Sequence, residues 1–313
     1  MVFIYVVSKR KILIAVGIVI LALAAILAIV SETAASVGRC VIAAVTSGTS
    51  GRLVPVYKVA REDKAVAITV DATWGDDKTL ALLDLFDRHR VHVTFFVAGN
   101  WIQSFPDKVK AIAERGHEVG NHSWTHPHMS ALPPEKIREE VERTQKAIAL
   151  LTGVRPKLFR PPFGDYSNPV IALAEECGCR TIQWSVDSLD WKDIGAAQIR
   201  HRVMSKVHPG AVVLFHNAGK HTVEALELIL GDLKAGGYTV IPVSELLLAG
   251  ETYVDRNTGE QRPVRSGAPP VPGAPERDST PVPAPAPSKP GTLPPRRSGL
   301  PRATEGGMGS WCS

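Results

Sequence analysis

Cysteine is scarce: the 313 residues hold four, at positions 40, 177, 179 and 312. So few in so long a chain exclude a disulfide scaffold. Cys177-Gly-Cys179 is a C-x-C with no second pair, and it reads as packing rather than as a zinc ribbon. No G-x-S-x-G elbow occurs, which excludes the usual serine hydrolase. No glycine-rich phosphate loop occurs either, so no nucleotide is expected. Beyond residue 30 no apolar run is long enough to cross a bilayer, which excludes a polytopic membrane protein. Apolar residues make up 44% and charged residues 21%, so the chain is not wholly disordered.

Acid is scarce at both ends. Residues 1–60 hold six Lys/Arg and one acid, and residues 262–313 hold seven and three. Residues 61–261 hold 23 basic and 27 acidic residues. The formal net charge of +5 therefore belongs to the flanks. The mildly acidic middle offers no basic surface for nucleic acid, and none is expected as a partner.

The flanks have distinct characters. Lys9-Arg10-Lys11 precedes Ile12–Val30, a stretch without charge. One membrane-spanning helix needs about 20 such residues, and a signal-peptide core is usually shorter, about 7–15 residues. Residues 1–30 are thus expected to be an uncleaved single-pass anchor. The basic cluster places the N-terminus inside and the rest outside the cell membrane. Residues 31–63 read as a linker and lead-in. From residue 250 onward the chain is read as a disordered tail, because more than half of the 24 prolines lie in its last part.

Between them, residues 64–249 alternate strands and helices. Strands are expected at Ala65–Val70, His92–Val97, Glu118–Asn121, Leu158–Arg160, Arg180–Ser185, Ala211–Phe215 and Tyr238–Val243. Helices are expected at Asp77–Arg88, Asp107–Arg115, Pro134–Leu151, Asn168–Glu176, Ala196–Lys206 and Thr222–Ala235. Such alternation implies an α/β fold on a parallel sheet, open or closed into a barrel.

Polar residues collect at the C-terminal ends of these strands, where catalytic groups of β/α barrels converge. Asp71 follows the first strand, and a carboxylate there is costly unless paired or useful. Arg160, from another strand end, could pair with it and keep it ionised as a general base, or form a structural salt bridge. His122 and His126 stand four apart; on a helix or tight turn that spacing suits a metal, and the rival is two ordinary surface or core histidines. His216 could be a general acid or a bonded core histidine. Asp190 could orient it, Trp191 could wall the pocket, and Asp187 could cap a turn.

Taken in order, Ile68-Thr-Val-Asp71, His122-Ser-Trp-Thr-His126, Arg160-Pro-Pro-Phe-Gly164, Asp187-Ser-Leu-Asp190-Trp191 and Leu214-Phe-His216 resemble the motifs of the polysaccharide deacetylase family. This is the NodB homology domain of carbohydrate esterase family four. Ile68–Gly75 and Val54-Pro-Val-Tyr57 look most like its sporulation and cell-wall branch. The resemblance implies a distorted seven-stranded β/α barrel and a metal-dependent, zinc-using N-deacetylase of an amino-sugar polysaccharide such as peptidoglycan. It implies Asp71 as base, Arg160 as its support, His216 as acid and Asp190 as the acid's partner. His122 and His126 become metal ligands, Trp191 a wall, Leu214 the acetyl-pocket lining, and the Phe163 backbone N–H an oxyanion donor.

One position departs from the pattern. The family's third metal ligand is an aspartate directly after the base, and here that residue is Ala72. Asp76 or Asp77 could replace it, or could cap the following helix. The alternative reading is therefore a catalytically weak or inactive glycan-binding barrel.

Overall fold

The alternation read from the sequence builds a curled parallel sheet in a computed structural model, which describes residues 51–75 and 78–264. Its strands are β1 Lys58–Val59, β2 Ala65–Ala72, β3 Thr94–Val97, β4 Glu118–Asn121, β5 Leu158–Phe159, β6 Arg180–Thr181, β7 Val186–Asp187, β8 Val212–His216 and β9 Thr239–Val240. A hairpin, β10 Thr252–Val254 and β11 Glu260–Pro263, follows. The described helices are α1 Thr79–His89, α2 Gly99–Ser104, α3 Pro106–Glu114, α4 Pro134–Thr152, α5 Asn168–Glu176, α6 Ala196–Met204, α7 Thr222–Ala235 and α8 Val243–Leu246.

The main sheet runs β6-β5-β4-β3-β2-β8-β7, every neighbour parallel. Its two edges, β6 and β7, are the two ends of one stretch, Arg180–Asp187. The sheet therefore curls until its edges are joined by the chain Ile182–Ser185 rather than by a ladder. The Gln183 N–H turns aside to Val56 and that of Ser185 to Val212. The result is a curled half-barrel, where the sequence led one to expect Arg180–Ser185 as an unbroken strand. β9 pairs only with Ala65 and Val66, below the point where β3 joins at Thr69.

Central strand β2 is buried along all eight residues, as a strand covered on both faces must be. Val66, Ile68, Val70 and Ala72 pack outward with the helix layer, among Leu82, Phe86, Phe215 and Leu226. Ala65 and Ala67 face inward with Phe96, Leu158, Ile182 and Val212. The alternation has period two, so Asp71 shares the inward face and Ala72 the outward one. Helix α4 follows the same economy: Pro134 opens it, Gly153 ends it at φ 74°, and Ile137, Val141, Thr144, Gln145 and Ile148 form its buried stripe.

The fold extends beyond the range read from sequence at both ends. β1 pairs with β11, and β11 with β10, in a second small sheet. The expected boundary at 249 thus cuts off a hairpin, and the expected linker 31–63 contains β1 and the fully buried Val56. Gly210 permits this closure. Its φ is 76°, and a Cβ there would lie 1.8 Å from the Val59 carbonyl oxygen. The expected membrane anchor lies outside the described residues, and so do the Pro-rich tail from residue 265, Cys40 and Cys312. Among the described residues no helix is long and apolar enough to cross a membrane.

Candidate active site

At the C-terminal ends of β2, β4, β5, β7 and β8 lies a cleft of about 530 Å³. Asp71, His122, His126, Phe163, Trp191, Leu214 and His216 all line it. Arg160 and Asp190 stand behind, both fully buried. The strand-end clustering read from the sequence is thus one site.

Asp71 is held from beneath. Its Oδ1 accepts a 2.7 Å bond from Arg160 Nη1, which also donates to Thr69 Oγ1 at 2.8 Å. Arg160 Nη2 donates to the Gln183 carbonyl, and the guanidinium stacks 4.1 Å over Phe96. Thr69 shares the inward face two residues before Asp71 and anchors itself on the Val213 carbonyl. Burial works to raise the Asp71 carboxyl. The Arg160 guanidinium, helped by His122 and His216, outweighs it and holds the group below its ordinary range. Asp71 is therefore an ionised carboxylate in a buried, fixed place.

His216 is held from the side. Its Nδ1 is 2.7 Å from Asp190 Oδ1, and its backbone N–H donates to Asp190 Oδ2 at 2.8 Å. Thr222 Oγ1 donates to the same Oδ2. Burial opposes a charged ring, but the bond and charge of Asp190, with Asp71 and Asp187 beyond, leave His216 above its ordinary value. Asp187 caps a turn, as its Oδ1 accepts the Leu189 N–H, and it also lines the cleft.

The two spaced histidines sit in a loop, not on a helix. Ser123 and His126 adopt φ of 65° and 59°, conformations that cost non-glycine residues energy and that surrounding structure must impose. Asn121 Oδ1 accepts the Ser123 N–H and Ser123 Oγ the His126 N–H, and Glu140 of α4 braces the residues between. Its Oε2 accepts the Trp124 and Thr125 N–H groups at 2.7 and 2.8 Å, and its Oε1 accepts the Thr125 hydroxyl. Gly99 makes room: a Cβ there would meet the Trp124 ring at 2.1 Å. The imidazole centroids of His122 and His126 then lie 4.9 Å apart.

Their chemistry suits a cation. A carbonyl can only accept, so the 2.7 Å contact of His122 Nδ1 with the Arg160 oxygen places a proton on Nδ1. Nε2 is left with a lone pair 3.5 Å from Asp71 Oδ2, the orientation that metal-binding histidines take. Buried Nδ1 of His126 has no hydrogen-bond partner. Burial pushes His122 down and His126 down to about 3, so both rings are neutral donors. Ala72 adds nothing: it is buried in the outward core. Asp76 and Asp77 lie outside the described residues. Among the described residues no group of three His, Cys, Asp or Glu side chains forms a metal site. Two donors fit a divalent metal, and the third side chain is missing from this set.

Several site residues escaped the sequence reading. Trp74, Trp184 and Asp193 also line the cleft. Trp74 lay three residues past Asp71 and could have been picked out. Glu140 gave no signal, as one more acid on the polar side of a helix. Cys177 and Cys179 are buried and free, as packing residues; Gln145 Nε2 donates to Cys179 Sγ.

Comparison with known proteins gives consistent neighbours. A family model described as polysaccharide deacetylase matches residues 58–182. The chain is 37% identical to the uncharacterized protein YlxY of Bacillus subtilis, over 62% of this chain and 60% of that one. It is 31% identical to the peptidoglycan-N-acetylmuramic acid deacetylase PdaA of Bacillus subtilis, over 61% of this chain and 74% of that one. Among solved structures, a CE4 family pseudoenzyme from Bacillus anthracis aligns at 36% identity with a TM-score of 0.60. That match covers 61% of this chain and 68% of that one. A mutant of the same pseudoenzyme, with restored enzymatic activity, aligns at 37% with the same score.

Proposed function

The chain belongs to the polysaccharide deacetylase family, and from that premise we propose that it is a metal-dependent N-deacetylase of an amino-sugar polymer, peptidoglycan or a related wall glycan. The observation that carries this reading is the pairing of opposites across one cleft. A carboxylate that Arg160 keeps below its ordinary range and an imidazole that Asp190 keeps above its own line the same cleft. That is the division of labour a hydrolysis needs between general base and general acid.

His122 and His126 would hold the metal. When bound, a divalent ion such as zinc polarises the acetamide carbonyl and acidifies a water. Asp71 takes the proton of the attacking water, with Arg160 and Thr69 fixing its carboxylate. The Phe163 backbone N–H supports the oxygen that gains charge, and Leu214 receives the acetyl methyl. His216 gives its proton to the amide nitrogen as the C–N bond breaks. Acetate and a free amino sugar leave. Trp191 walls the sugar. We place the enzyme outside the cell membrane, tethered by residues 1–30.

A second reading rests on Ala72. With a methyl group packed in the outward core where the family has a ligand, the chain would be a glycan-binding barrel with little or no turnover. The similarity to a CE4 family pseudoenzyme supports this reading. Acetate release from acetylated wall glycan by the full chain, with and without zinc, separates the two. Zinc-dependent release that disappears in Asp71→Asn supports the enzyme. Glycan binding with no release on any substrate supports the second reading.

A further inference from the structure

Trp74 is 61% exposed, an unusual place for the largest apolar side chain. Its backbone is nevertheless fixed. Asp71 and Ala72 upstream belong to the central strand. Downstream, the Gly75 carbonyl accepts bonds from Trp101 Nε1 at 2.6 Å and Asn217 Nδ2 at 2.7 Å. The indole meets the His126 ring edge-on at 4.8 Å. On from it, His126 meets Phe163 at 4.5 Å, and Phe163 stacks on His128 at 4.4 Å and 23°. Phe163 is itself 57% exposed. Four rings thus form a continuous strip that begins in the cleft, with Trp191 also lining it.

An exposed indole on an anchored backbone at the lip of a cleft is suited to a flat apolar ligand face, and the C–H face of a pyranose ring is one. The backbone that carries this platform is already ordered in the free protein, which lowers the cost of binding. We infer that Trp74 is a sugar-binding residue. It stacks on a pyranose of the glycan chain and, with Phe163 and His128, sets a requirement for an oligomer over a single sugar. This rests on the glycan reading above. An aromatic pair contributes on the order of 0.5–1.5 kcal/mol beyond its area; taken for the sugar stack, its loss corresponds to about two- to tenfold in affinity, and lost contact area adds to it.

The test is calorimetric titration of the full chain with chitotetraose and with N-acetylglucosamine, in wild type, Trp74→Ala and Trp74→Phe. The expected result is about tenfold weaker chitotetraose binding in Trp74→Ala and no more than about threefold in Trp74→Phe. Thermal midpoints should stay unchanged, and the Trp74 indole N–H resonance should shift on addition of the tetramer. Wild-type binding that Trp74→Ala leaves intact overturns this inference alone. Absence of chitotetraose binding to wild type, with acetylated wall glycan also unbound, overturns the glycan reading and the inference with it.

Discussion

Ala72→Asp tests whether the site is a finished metal centre or one lacking a ligand. Ala72 has no exposed surface and packs in the core formed by Val66, Ile68 and Val70 with the helices. A carboxylate placed at that lip without a counter-ion must stay partly desolvated. Removing one partner of a buried ion pair costs about 3–5 kcal/mol, and an unpaired buried charge is comparable. Taking about 3 kcal/mol, and about 2–4 °C per kcal/mol for a folded part of roughly 200 residues, the metal-free variant should melt about 6–12 °C below wild type. Zinc should offset most of this loss. If the carboxylate turns toward His122 and His126, three protein ligands replace two, as in ordinary catalytic zinc sites. Saturation at about 100 Kd then returns about 2.7 kcal/mol. The expected pattern is a large zinc-dependent rise in melting temperature in the variant and a smaller one in wild type, reversed by chelator. Calorimetric zinc titration should show the matching gain in affinity. Equal zinc shifts in both proteins would mean that the third ligand is already supplied. A variant equally destabilised with and without zinc would refute the expectation, since a carboxylate at residue 72 would then stay on the outward face and not reach the imidazoles.

Arg160→Met should cost about 3–5 kcal/mol in urea unfolding at neutral pH, because it strands the Asp71 carboxylate in the interior. Its dependence on acid should change too. In wild type the depressed Asp71 value contributes stability present above the unfolded carboxyl range, about 3.9, and lost as pH falls through the folded value; in the variant that loss should vanish. Asp190→Asn should lower the His216 value, so any activity requiring a protonated His216 should lose its alkaline limb at lower pH, read from kcat against pH. The stability that the His216–Asp190 pair contributes is complete below the unfolded value of about 6.5 and fades as pH rises through the higher folded value. Glu140→Ala should cost roughly 1–3 kcal/mol and weaken zinc binding, while Glu140→Gln should retain part of both; unchanged zinc affinity in the alanine variant would remove Glu140 from control of the His loop.

Much of this site was legible because its residues announce themselves by contrast. Asp71 ends a run of six apolar or β-branched residues, and His216 ends another, so each polar group stood out against its strand. Asp187 and Asp190 lay in a short motif, and the order of five motifs carried the rest. Glu140 and Gln183 were not legible. The first acts through backbone N–H groups sixteen and fifteen residues earlier, and the second through a carbonyl, which every residue has. The break of the expected sixth strand also left no sequence mark, since Gln183 leaves the ladder to meet Val56, a partner 127 positions away in the chain.

Local pattern alone thus determined most of the strands and helices of residues 64–249 and which side chains stand at their ends, because strand burial and helix amphipathicity are written in residues two to four apart. Folding in three dimensions decided which of those ends meet. It set Arg160 against Asp71 and Asp190 against His216, lowering the Asp71 carboxyl and raising the His216 imidazole, and it bent the His122–His126 loop into positive φ, braced by Glu140. It also put Ala72 on the outward face while Asp71 points in. Those outcomes depend on contacts between residues far apart in sequence, whose energies exist only once the sheet has curled.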